Sequence, residues 1–141
     1  MIKVALADDH RQVREIWHFI LASNSDFEVV AKCCNGQEAI HAASMYKPDI
    51  FLMDINMQPL NGIEATEIIT KRHPGVKVIG MSMHMDAMYV KRMLQAGARG
   101  YVTKNSSYEE VFDAIRQVNA GLQYICSEVT ANLPGLVTMQ P

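Results

Sequence analysis

Five short apolar runs rich in β-branched residues recur along the chain, at 2–7, 27–33, 50–53, 76–81 and 100–103. Between them the apolar positions change to a helical period. Val13, Ile16, Trp17, Ile20 and Leu21 fall at i, i+3, i+4, i+7 and i+8, the stripe of a helix lying on a sheet. A second helix is expected over 37–46, because the residue preceding Pro48 is driven out of the helical region. A third opens after Asn61, whose side chain can cap it, and stops before Pro74. A fourth covers 86–96 and ends at Gly97, a left-handed cap. The fifth opens at Ser106 or Ser107, carries Glu109 and Glu110 in its first turn, and closes at Gly121. Strand and helix alternating five times predict an α/β domain, a parallel sheet joined by crossover helices. Beyond Gly121 the periodicity fades, and residues 123–141 read as a C-terminal extension or linker.

Composition narrows the function classes. With 49% apolar residues, a chain of 141 can bury a core without disulfides. Thirteen basic and fifteen acidic residues give a net charge of -2, so there is no basic footprint for nucleic acid, and any DNA contact needs a domain outside this chain. The first apolar stretch is too short for a signal peptide, and no run reaches the ~18 apolar residues of a membrane span, so a cytoplasmic protein is expected. Three cysteines, two of them adjacent (Cys33 and Cys34), make no disulfide framework. The five histidines are scattered without zinc-type spacing, and no transition-metal site is expected from them.

Chemistry in an open parallel sheet collects beyond the carboxyl ends of its strands. The residues there are Asp8 and Asp9 after the first run, Asp54 after the third, Ser82 after the fourth and Lys104 after the fifth. Taken singly, Asp9 could cap the following helix, Ser82 could be a turn residue and Lys104 a solvated surface lysine. Asp54 is harder to explain away, since it ends the run DIFLM where a central strand should stay apolar. Three converging carboxylates stay ionised together only around a cation, and an oxygen-rich donor set favours Mg²⁺. The cation turns an acidic pocket into a phosphate site. Lys104 then offers a positive charge and Ser82 a hydroxyl to phosphoryl oxygens, which leaves Asp54 as the nucleophile.

The segments VALADDH, DIFLMDINM, NGIEA, VIGMS and AGARGYVTK, at these spacings, resemble the receiver domain of two-component response regulators over residues 1–122. The stretch from Gly97 to Lys104, the Ser-Ser-Tyr-Glu-Glu helix start and GLQYICSEV resemble the nitrate-response (NarL/FixJ) branch, whose members usually continue into a LuxR-type helix-turn-helix domain. The resemblance implies a flavodoxin-like doubly wound sheet of five parallel strands in order 2-1-3-4-5 with five helices. It implies that Asp54 is the phosphoacceptor and that Asp8 and Asp9 hold Mg²⁺ together with Asp54 and the main-chain carbonyl of Asn56. By the same resemblance Lys104 is expected to contact the phosphoryl group, Ser82 to be the switch hydroxyl, and Tyr101 to be the aromatic that turns inward. The implied donor is a sensor histidine kinase or a phosphotransfer protein, and the implied output is control of transcription.

Three positions depart from the family pattern. Gln58 precedes Pro59 where proline is common, so the loop after Asp54 is expected to take another path. Met83 stands where a small residue is usual and narrows access to the acyl phosphate. Asn105 follows Lys104 where a cis proline is frequent, so a trans bond is expected there. Met83, Met85 and Met88 read as core gap-fillers, the alternative being an adaptable partner surface beside His84 and Tyr89. Trp17, at the edge of its stripe, is expected to stay partly exposed and to serve a homodimer contact. Two other functions compete: a stand-alone receiver acting by protein contact, and a Mg²⁺-dependent aspartyl-phosphate phosphatase. The second lacks the general-acid Asp two residues after the nucleophile, where Asn56 stands. A flavodoxin-like cofactor binder would need a glycine-rich loop after the first strand.

Overall fold

The computed structural model describes residues 1–83 and 86–132. Strands β1 (Ile2–Ala7), β2 (Phe27–Cys33), β3 (Ile50–Asp54), β4 (Lys77–Ser82) and β5 (Gly100–Thr103) alternate with helices α1 (Arg11–Ala22), α2 (Gly36–Tyr46), α3 (Gly62–Arg72), α4 (Ala87–Gln95) and α5 (Tyr108–Asn119). A short strand β6 (Tyr124–Ile125) and helix α6 (Ser127–Asn132) complete the order. The strands form one parallel sheet in the order β2-β1-β3-β4-β5-β6. This is the doubly wound flavodoxin-like sheet that the resemblance implies, with a sixth strand and a sixth helix added to the expected five of each.

The addition comes from the segment that sequence periodicity reads as an extension. Tyr124 donates its amide to the Arg99 carbonyl at 3.1 Å, and the Cys126 amide donates to the Tyr101 carbonyl at 2.9 Å. These bonds satisfy part of the β5 edge, which would otherwise present unpaired groups.

Local chemistry sets the helix starts. Asn61 and Glu64 close a capping box at the head of α3, with the Glu64 amide donating to Asn61 at 2.9 Å and the Asn61 amide donating to Glu64 at 3.2 Å. Asn35 caps α2 and Ser107 caps α5. Gly97 takes φ +113 after α4 and lies against Thr70, a position closed to a side chain on both counts. The Gln58–Pro59 bond is cis and, among the described residues, no other bond is, so Lys104–Asn105 is trans.

The core is buried on both faces of the sheet, and all five residues of β3 are buried. Two expectations about side chains fail. Trp17 is buried, packed edge-on against Tyr108 with ring centroids 5.8 Å apart, whereas Ile16 and Phe19 are 53% and 77% exposed. The α1 stripe is therefore centred on Trp17, Ile20 and Leu21, and Ile16 lies outside it. Met83 and Met88 are exposed rather than core gap-fillers, because the chain leaves the sheet at Ser82 before reaching them. His84 and Met85 lie outside the described residues. Among the described residues no helix is long and apolar enough to cross a membrane.

Candidate functional site

The register of the parallel strands brings the distant residues together. Leu52 pairs with both Leu6 and Ile79, so β1, β3 and β4 end at one rim, where Asp8, Asp9, Asp54 and Ser82 emerge. Ser82 pairs with Thr103, and the Lys104 amide donates to the Ser82 carbonyl at 2.9 Å, which carries Lys104 to the same rim.

Lys104 Nζ lies 2.9 Å from Asp8 Oδ2 and 3.6 Å from Asp54 Oδ2. The other oxygen of Asp8 accepts the His10 amide at 2.8 Å, and Arg14 donates to the Asp8 carbonyl at 2.7 Å. The turn from β1 into α1 is thus held from both sides. The residue at the head of α1 is His10, without a side-chain cap bond, so Asp9 does not cap this helix and its carboxylate stays at the rim. Asn56 lies two residues beyond Asp54 on the loop, and its amide donates to Asp54 Oδ1 at 3.3 Å.

Asp54 is 97% buried by accessible area (3% exposed), and its Oδ2 is, among the described residues, the buried side-chain oxygen that has no hydrogen-bond partner. Leu6, Trp17, Leu52 and Met81 line the recess behind Asp8 and Asp54. That apolar floor explains the carboxyl's behaviour. Burial first, and then the neighbouring Asp8 carboxylate, push Asp54 up to about 6 against the pull of Lys104. Ligand atoms of Asp8, Asp9, His10 and Asp54 lie within 4.8 Å of one another, and the three carboxylates, one with a buried oxygen lacking a hydrogen bond, are the donors that fit a hard divalent cation.

Ser82 and Tyr101 are both inaccessible, and they share a hydrogen bond. Burial pushes the Tyr101 phenol up to about 12, while the Ser82 bond pulls it down. The aromatic ring therefore lies inward in this structure, beside the hydroxyl expected to act with it.

Three residues at the site are not singled out by the sequence alone. Arg14 is visible there only as a charged residue on a helix face. His10 comes directly after two carboxylates, a spacing that could have flagged it. Gly62 holds the head of α3 against the end of β3: a Cβ there would collide with the Asp54 carbonyl, and the Gly62 amide donates to the Ile55 carbonyl at 2.9 Å. Only glycine permits that approach to the strand carrying Asp54.

A family model for the response regulator receiver domain matches residues 4–116. The chain is 42% identical over 132 residues to the transcriptional regulatory protein DegU of Brevibacillus brevis, covering 94% of this chain and 56% of that one. It is 38% identical over 141 residues to the response regulator GacA of Pseudomonas syringae, covering 100% and 65%. A LuxR-family two-component response regulator from Aurantimonas superposes with a TM-score of 0.90 at 29% identity, over 96% of this chain and 97% of that one. The chain thus spans roughly three fifths of the length of the curated relatives it matches, 56% and 65% for these two. With an acid-lined rim in the expected fold and a family model spanning most of its length, the chain belongs to the response regulator receiver domain family, and its relatives are regulators of the LuxR/NarL group.

Proposed function

We propose that Asp54 accepts a phosphoryl group from a sensor histidine kinase, or from a phosphotransfer protein, in a Mg²⁺-dependent reaction that switches a partner-binding surface. The observation that carries this reading is the buried Asp54 Oδ2, without a hydrogen-bond partner and 3.6 Å from Lys104. Asp8, Asp9, Asp54 and the main-chain carbonyl of Asn56 would hold the metal, which when bound supplies positive charge to the phosphoryl oxygens.

An Asp54 oxygen attacks phosphorus, the bond to the donor's imidazole nitrogen breaks, and its electron pair leaves with the imidazole. Lys104 stabilises the oxygens of the transferring group. Ser82 turns its hydroxyl from Tyr101 toward the new acceptor oxygens, and the repacking of Tyr101 changes the surface of α4, β5 and α5. Attack of water on phosphorus releases phosphate and restores the carboxylate. The chain is thus a cytoplasmic switch rather than an enzyme with an outside substrate, and it controls transcription through an output domain not in this chain. Pairing of two copies through the exposed Ile16 and Phe19 of α1 replaces the contact expected of Trp17.

Incubation with acetyl phosphate, followed by intact mass across a Mg²⁺ titration, tests the reading. Gain of one phosphoryl mass only with divalent metal supports it. Equal uptake by Asp54→Asn, or uptake without metal, refutes it.

A further inference from the structure

We propose that His10 is a nitrogen ligand of this site, so that the site takes a borderline cation such as Co²⁺ with a donor set that Mg²⁺ does not exploit. This rests on the reading of the rim as a divalent-metal site. His10 Nδ1 lies 3.1 Å from Asp9 Oδ1 and 3.4 Å from Asp8 Oδ1. Adjacent ligands of an octahedral ion bound at ~2.1 Å stand ~3.0 Å apart, so both separations are near that of two ligands sharing one edge. The second observation is independent of the histidine. Asp54, whose buried Oδ2 has no hydrogen-bond partner and only Lys104 at 3.6 Å for compensation, belongs to the same cluster and supplies the reason for a cation there.

The imidazole is placed by backbone bonds rather than by packing. Its own amide donates to Asp8 Oδ1 at 2.8 Å, and its carbonyl accepts the Arg14 amide at 3.0 Å in the first turn of α1. The ring itself is 69% exposed, so small rotations that bring Nδ1 onto an ion displace no neighbour. In the absence of metal the same nitrogen can donate to Asp9, which keeps it at the cluster. Mg²⁺ takes oxygen donors and gains little from imidazole. Borderline ions such as Co²⁺ gain from it, and affinity rises along the divalent series when nitrogen joins oxygen. Asp8, Asp9 and Asp54 therefore define a site for hard cations, and His10 extends it toward softer ones.

Trp17, the single tryptophan of the chain, lines the recess behind Asp8 and Asp54, so its fluorescence responds to occupancy of this site. The chain is titrated with MgCl₂ and with CoCl₂ as wild type, His10→Gln and Asp9→Asn, with the visible absorption of Co²⁺ recorded in parallel. The expected result is that His10→Gln weakens Co²⁺ by about tenfold or more, alters its ligand-field bands, and leaves the Mg²⁺ affinity within about twofold. Asp9→Asn weakens both metals. Unchanged Co²⁺ affinity and bands in His10→Gln, with Mg²⁺ still bound, would overturn the role of His10 and leave the metal site standing. Failure of wild type to bind either ion would overturn both.

Discussion

Two acidic corners of the sheet are built in opposite ways. At the ends of β1 and β3, Asp8, Asp9 and Asp54 face one another, and Lys104 is the cation between two of them. At the corner where α5 meets the extension, Glu110 accepts the Tyr124 hydroxyl and the Ser127 amide, each at 2.8 Å, and Glu128 lies 3.5 Å from the Thr103 hydroxyl. The second corner satisfies its acids with donors. Burial and then the Glu110 bond push the Tyr124 phenol upward, which keeps it a donor. The first corner leaves a buried oxygen without a hydrogen bond, a cost in stability that the proposed phosphoryl acceptance explains. The spacing of Ser107 and Glu110 matches that of Asn61 and Glu64, yet only the second pair closes a capping box. Glu110 has been diverted from its own helix to hold β6 and α6 in place.

The sharpest way to separate the corners is Asp54→Asn. Phosphoryl uptake is expected to vanish, while the metal-free protein becomes more stable at pH 7.5, by about 1–3 kcal/mol, because an ionised buried carboxylate is removed. The pH dependence comes from the raised value of Asp54, about 6 when folded against 3.8 as the ordinary value. Across that interval the folded state keeps a proton that the unfolded chain has released, so wild-type stability falls as pH rises from about 4 to about 6 and then levels off. Urea unfolding of both proteins across this range should show the gap opening with pH; a gap that stayed constant would remove the burial argument.

Gly62→Ala attacks the site through the backbone. The new methyl group meets the Asp54 carbonyl, so α3 must shift, and a loss of ~2 kcal/mol is expected together with slower uptake from acetyl phosphate. Stability and uptake measured together at saturating Mg²⁺ would check it.

Glu110→Ala makes the complementary break. Two donors lose their acceptor, and about 1–2 kcal/mol of stability should go while acyl-phosphate formation stays unchanged. Amide exchange at Ser127 and Cys126 should accelerate locally; unchanged protection would mean that β6 is held by other contacts.

Asp9→Asn should weaken Mg²⁺ and leave uptake partly recoverable at high Mg²⁺, which phosphorylation yield against metal concentration reads directly. The smallest effect is expected at Phe19→Ser, which should reduce self-association in the presence of a phosphate mimic without altering uptake. Sedimentation of wild type and variant as equal monomers would remove α1 as a contact.

Much of this molecule is dictated by the order of its residues. The five main strands, the five helices that follow them and the caps at Asn61 and Ser107 are local features, written in period, proline placement and side-chain hydrogen bonding within a few residues. The convergence of Asp8, Asp9, Asp54, Ser82 and Lys104 was legible too, because each adjoins the end of an apolar run in a sheet whose strands run parallel. The features that the tertiary structure decided depend on contacts with no sequence period. β6 is two residues long and exists because β5 offers an open edge and Glu110 anchors both Tyr124 and the start of α6. Trp17 and Ile16 share one helical stripe in the sequence, and only the packing of α1, with Trp17 against Tyr108, buries the first and exposes the second. The need for glycine at position 62 arises from the approach of α3 to the end of β3. The sequence itself determined which groups reach the rim; the packing of the elements determined which of them are dry, which are paired, and which oxygen is left without a hydrogen bond.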